Sequence, residues 1–99
     1  MFRIRFLPAV QNELEYLEKK SANAGLVKQI KKTIYLLGTN PRHPSLQTHE
    51  YHSIPNPIAA NEKVFEAYAQ NQTPGAYRVF WCYGPEKKQI TIIAITPHP

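Results

Sequence analysis

Aspartate is absent from this chain of 99 residues, and cysteine occurs once, at Cys82. A lone cysteine excludes an internal disulfide and suits a reducing compartment. Without aspartate no Ser–His–Asp constellation can be built. An oxygen-rich cation site also loses one of its usual ligands. Glycine is scarce, at four residues. That leaves no glycine-rich phosphate loop and no expectation of a nucleotide cofactor. His49 and His52 have zinc-like spacing, but no matching Cys or His pair follows, so no metal is expected. No apolar run reaches membrane-spanning length, and Met1–Arg5 opens with charges instead of an apolar signal region. The expectation is a cytoplasmic protein with no membrane partner.

What is present is a globular composition. Hydrophobic residues make up 42% against 19% charged, which fits a folded chain and one domain over residues 1–99. At this size the core is adequate but modest, with a stability of about 5–10 kcal/mol. The net charge is +5, which favours an anionic partner. Three of the seven acids, Glu13, Glu15 and Glu18, sit in the first helical segment. The remainder is more basic still.

Periodicity gives the order of elements. Phe2–Phe6 alternates apolar residues with arginines and reads as a short strand. Pro8 suits a first helical turn, where its missing N–H costs nothing. Val10, Leu14 and Leu17 then form an apolar stripe. After the break at Ser21–Gly25, Val27, Ile30, Ile34 and Leu37 form a second stripe, with Lys28, Lys31 and Lys32 towards solvent. Gly38 is placed to end this helix in a left-handed cap, and Asn40–Pro41 blocks continuation. Residues 39–61 are loop-rich and expected to run over the surface, with room for a brief strand around Leu46–Tyr51. Val64–Gln70, Ala76–Tyr83 and Gln89–Thr96 then read as a meander, turned at Asn71–Gly75 and Gly84–Lys87. The expected fold is α+β, in the order β-α-α-β-β-β. A helical hairpin would pack on one face of a small, antiparallel-rich sheet.

Within the middle strand, Tyr77–Arg78–Val79–Phe80–Trp81, one arginine interrupts an apolar and aromatic run. A charge there is costly unless it is paired or employed. Should the 71–75 turn be a five-residue connection, Glu66 falls close to opposite Arg78 and can pair with it. Phe65, Tyr68, Tyr77, Phe80, Trp81 and Tyr83 crowd the sheet on both faces. The face away from the helices is then expected to expose aromatics for RNA bases or for a protein segment.

The layout resembles the RelE/ParE superfamily of small toxins from toxin–antitoxin systems. The resemblance spans nearly the whole chain. It is carried by Leu36–Leu37–Gly38–Thr39–Asn40–Pro41, by Tyr77–Arg78–Val79–Phe80, and by Ile92–Ile93–Ala94–Ile95–Thr96–Pro97–His98. RelE-like members are ribosome-dependent messenger-RNA endonucleases held in check by an antitoxin, whereas ParE-like members inhibit DNA gyrase. The resemblance thus implies a toxin acting on ribosome-bound mRNA without metal or cofactor. Its partners would be an acidic antitoxin, the ribosome and mRNA, with operator DNA bound only as the toxin–antitoxin complex. A gyrase inhibitor and a non-toxic member of the fold are the alternatives.

On that resemblance Arg78 would hold the scissile phosphate, since a guanidinium forks onto two oxygens and keeps its proton. His98, just past the last strand, would move a proton, with His49 as its partner. Arg42, His52 and Tyr77 are the candidates for binding RNA and its phosphates, and Glu66 is the structural partner of Arg78. One departure stands out. The Gln47–His52 segment has no lysine where ribosome-dependent members often carry them.

Overall fold

A computed structural model describes residues 1–71 and 74–97. Strand β1 (Arg3–Phe6) leads into helix α1 (Pro8–Glu18), a single 3-10 turn at Ser21–Asn23, and helix α2 (Ala24–Thr39). A two-residue strand β2 (His49–Glu50) follows a second 3-10 turn at Pro44–Leu46. Strands β3 (Phe65–Tyr68), β4 (Tyr77–Tyr83) and β5 (Gln89–Pro97) complete the described chain. The five strands form one sheet in the order β1-β5-β4-β3-β2. β1 lies parallel to β5, and every other neighbouring pair is antiparallel. This is the expected α+β arrangement with one extra strand, β2, inside the segment suspected of holding one.

Both helices cover the same sheet face because their apolar stripes have nowhere else to go. α1 buries Val10, Leu14 and Leu17, and α2 buries Val27, Ile30 and Leu37. They meet Ala67, Val79, Trp81, Ile90, Ile92 and Ile95 in one core. Each fully buried aliphatic side chain there contributes about 1.5–3 kcal/mol. In β5, Ile92 and Ile95 are three residues apart, yet both belong to this core. The register explains it: Phe80 faces Ala94 while Trp81 faces Ile92, so Ile93 is the extra residue of a bulge.

α1 begins as the sequence implies, with Pro8 in its first turn and no side-chain cap at Leu7. Gly38 departs from expectation. It does not end α2 in a left-handed cap but lies inside the helix, which runs to Thr39. Its role is close approach: Phe2 N–H donates to the Gly38 carbonyl at 2.7 Å, bringing β1 against the helix end. Among the described residues left-handed backbone occurs instead at Gln47, Gly75, Gly84 and Lys88, with Gly84 (φ 98°) in the turn from β4 to β5.

The second sheet face is not bare either. Residues 51–64 fold back over it, with the Tyr51 ring 4.8 Å from Phe80. Asn56 pins this segment: its Oδ1 accepts from the Ile58 and Ala59 amides at 2.9 Å, and its Nδ2 donates to the Lys63 carbonyl. Phe80 and Cys82 are therefore fully buried on the side away from the helices. No helix among the described residues is long and apolar enough to cross a membrane.

Candidate functional site

Strand alternation puts Arg78 and Phe80 of β4 on the sheet face away from the helices, beside Glu66 and Tyr68 of β3 and His49 of β2. The register differs from expectation by two residues. Tyr68, not Glu66, is directly opposite Arg78, and Glu66 is opposite Phe80. Glu66 still reaches Arg78 because diagonal neighbours two residues apart share a face. Part of the turn that sets this offset, Gln72–Thr73, lies outside the described residues.

Glu66 stands between the His49 imidazole and the Arg78 guanidinium. Its Oε1 is 2.6 Å from His49 Nε2, and its Oε2 is 3.6 Å from Arg78 Nε. Its carboxylate is 2% exposed and the arginine side chain 8%, whereas the imidazole is 48% exposed. His49 Nδ1 is 3.1 Å from the Gln47 carbonyl. A carboxylate and a carbonyl are both acceptors. Both contacts are hydrogen bonds only when the ring carries a proton on each nitrogen.

The Arg78 guanidinium is held by two carbonyls and a ring. One terminal nitrogen donates to the Gln70 carbonyl at 2.7 Å and to the Tyr77 carbonyl at 3.3 Å. The Tyr68 ring lies over its central carbon at 3.7 Å, a close cation–π contact. His49 meets the same ring edge-on at 5.9 Å. Tyr68 thus roofs the arginine and walls the histidine. Arg78 Nε makes no hydrogen bond, which leaves donor capacity on a buried cation.

Of the remaining candidates, His98 lies outside the described residues, past the end of β5. Thr96 is the β5 partner of Arg78. His52 is 80% exposed, beside Glu50 at 3.5 Å, and does not join the group. Tyr77 packs against the core on the helix side. Arg42 lines a cleft with Phe65, Trp81 and Tyr83, towards the other end of β4. Among the described residues no three His, Cys or Glu side chains converge as metal ligands would. Sequence reasoning missed Tyr68 and the Gln70 carbonyl as partners of Arg78. The signal was available in the period-2 spacing of Glu66 and Tyr68, once the register was known.

A parallel β1–β5 pair closing an antiparallel β2–β4 ribbon, with a helical hairpin on one face, is the arrangement found in a group of solved toxin structures. The YoeB/ParE toxin from Agrobacterium tumefaciens superposes with a TM-score of 0.68 over 99% of this chain and 100% of its own, at 10% identity. The fold is that of the RelE/ParE-like toxins. The archaeal RelE–RelB complex from Pyrococcus horikoshii OT3 gives 0.65 over 97% of this chain and 93% of the other, at 15% identity. The YoeB–YefM complex from Staphylococcus aureus gives 0.61 over 100% and 99%, at 13% identity. No protein-family model and no curated protein matches the chain. Side-chain geometry, not sequence identity, therefore has to support any reading of activity.

Proposed function

We propose that this chain is the toxin of a toxin–antitoxin pair and acts as a RelE-like, ribosome-dependent mRNA endonuclease. The observation that carries the reading is the His49–Glu66–Arg78 row on the sheet face away from the helices, within a RelE/ParE-like fold. The chemistry is attack of a 2′-hydroxyl on the adjacent phosphate. The 2′-oxygen bonds to phosphorus and loses its proton to a base. The bond to the 5′-oxygen breaks, and that oxygen takes a proton from an acid. Negative charge builds on the phosphate between those events and calls for a fixed cation.

His49 is the exposed member; once its Nδ1 leaves the Gln47 carbonyl, that nitrogen supplies the proton transfer together with His98. Glu66 orients the imidazole and stands between it and Arg78. Arg78 supplies the fixed charge. Tyr68 covers it at 3.7 Å, so a phosphate reaches the guanidinium once that ring turns aside and offers its face to a base. The net charge of +5 suits an acidic antitoxin, whose binding would exclude RNA. The RelB and YefM chains in the neighbouring complexes are the precedent for such a partner.

In vitro translation with mapped mRNA ends tests this. Wild-type protein should cut ribosome-bound message, and His49→Ala and Arg78→Ala should each lower the rate at least about 100-fold, in line with losing a proton-transfer or charge-stabilising group. Intact mRNA at saturating protein, together with inhibited gyrase supercoiling, would assign the chain to the ParE-like class instead.

A further inference from the structure

A second site stands at the opposite end of β4 from the Arg78 guanidinium, and the proposed chemistry does not use it. Tyr83 is 44% exposed and is ringed by aromatics. Phe2 is 5.7 Å away, Phe65 5.8 Å and Trp81 4.9 Å. Phe65 and Trp81 stack on each other at 4.8 Å. Tyr83 stands nearly perpendicular to both, at 77° and 83°. The half-buried Phe65 ring, backed by the buried Trp81, and the upright, half-exposed Tyr83 make a corner for a flat group.

Tyr83 separates two clefts that share Pro41 and Arg42. One, of about 410 Å³, runs over Phe65 and Trp81 towards His43. The other, of about 790 Å³, runs over Phe2 towards Lys87 and Lys88. Both fall in the size range of small-ligand sites. Neither of these two clefts has a carboxylate among its described lining residues, while Arg42, Lys87 and Lys88 bring fixed positive charge; the acids near Tyr83, Glu62 and Glu86, line a third cleft beside Phe65. Lys88 Nζ already lies 5.4 Å over the Phe2 ring. Trp81 Nε1 is buried and unpartnered.

We infer that this aromatic corner is a nucleotide-binding subsite for single-stranded nucleic acid. The base stacks on Tyr83, and the flanking phosphates lie against Arg42 and Lys88. Aromatic faces alternating with cations are what a sequence-tolerant single-strand groove requires. An acidic peptide would satisfy the cations but has no use for a half-exposed ring standing upright beside Phe65. The identity of the ligand as RNA rests on the proposed function; the site itself does not. It would hold a stretch of message away from the cleavage point.

The test is fluorescence anisotropy with a labelled 2′-O-methyl RNA hexamer, whose blocked 2′-oxygens prevent cleavage. Tyr83→Leu, which keeps the volume but removes the π-face, should weaken binding about tenfold, and Tyr83→Phe should not. Arg42→Ala should weaken binding by a similar factor and flatten its salt dependence. Circular dichroism melting confirms that each variant is folded. Unchanged affinity in both Tyr83→Leu and Arg42→Ala, or no hexamer binding by wild type, overturns the inference. So does displacement of the hexamer by polyglutamate in a Tyr83-independent manner, which assigns the clefts to acidic peptide. Tyr83-dependent binding by a protein that never cuts mRNA leaves this subsite standing and removes the nuclease. Cleavage by a Tyr83→Leu protein with wild-type hexamer affinity does the reverse.

Discussion

Glu66 Oε1 lies 2.6 Å from His49 Nε2, so a carboxylate that is 2% exposed is tied to an imidazole that is 48% exposed. The contact joins the protein interior to its surface across the β2–β3 pair. The buried partner of the same carboxylate is Arg78, with Nε at 3.6 Å. A carboxylate this deep is tolerable because the Arg78 guanidinium and the His49 imidazole flank it.

Substitution within the Arg78–Glu66 pair should therefore be non-additive. Glu66→Met should destabilise by about 3–5 kcal/mol, because it leaves the buried guanidinium without its carboxylate, and Arg78→Leu by less, because Glu66 keeps His49 at 2.6 Å. The double variant should lose clearly less than the sum. Urea unfolding of the four proteins measures the coupling, and simple additivity would show that the two side chains do not interact.

Tyr68 roofs the arginine, so Tyr68→Ala removes a desolvated cation–π contact and opens the guanidinium to water. A loss of about 2 kcal/mol is expected from that contact and the lost packing. Arg78→Lys should weaken the same contact, since an ammonium has no planar face and cannot make the guanidinium's paired donations. Thermal unfolding of the two variants, compared with Tyr68→Phe, checks this. Tyr68→Phe keeps the π-face and should stay close to wild type.

Gly38 offers a test in which two effects oppose. A Cβ there would meet the Phe2 carbonyl at 3.4 Å and Ile4 Cγ1 at 3.6 Å, at the edge of ordinary contact. Alanine gains about 0.8–1 kcal/mol of helix propensity, so Gly38→Ala should be neutral or stabilising. Gly38→Val should destabilise by about 1–3 kcal/mol, because its methyls push β1 off the helix end. Guanidinium unfolding midpoints settle both signs.

Burial pushes the Cys82 thiol above its ordinary value of 9.0, while a hydrogen bond with Asn56 and the charge of Arg5 pull the other way. The folded state thus keeps a proton that the unfolded chain releases. This contribution is complete below about pH 9 and is lost as pH rises through the higher folded value. The difference in unfolding free energy between wild type and Cys82→Ala should shrink from pH 8 to pH 10. Modification by a thiol reagent should also be slow in the folded protein. A constant difference across that range would show that the thiol is not shielded.

Much of the architecture was legible because it depends on local pattern. The apolar stripes of Val10–Leu17 and Val27–Leu37 could be satisfied only by helices, and the three late strands by a sheet. Gly38 was misread because its sequence context fits a left-handed cap, while the actual demand on it comes from Phe2, at the other end of the helical hairpin and just before β1. Residues 39–61 read as loop over the surface, since nothing local reveals that Asn56 will anchor part of that segment over Phe80 and Cys82. The Arg78–Glu66 pairing was foreseeable from alternation, but Tyr68 as the roof was not. That assignment needs the register, and the register needs the turn.

Composition and periodicity alone determined two amphipathic helices, a terminal meander, an excess of positive charge, and a single arginine in an apolar strand that had to find a partner. Long-range pairing decided the rest. Setting β5 between β1 and β4 chose which face the helices cover. The two-residue offset of β3 against β4 chose which side chains surround the guanidinium. A side chain's surroundings are fixed by strands far apart in the chain, and their register is a property of the packed sheet that no single segment encodes.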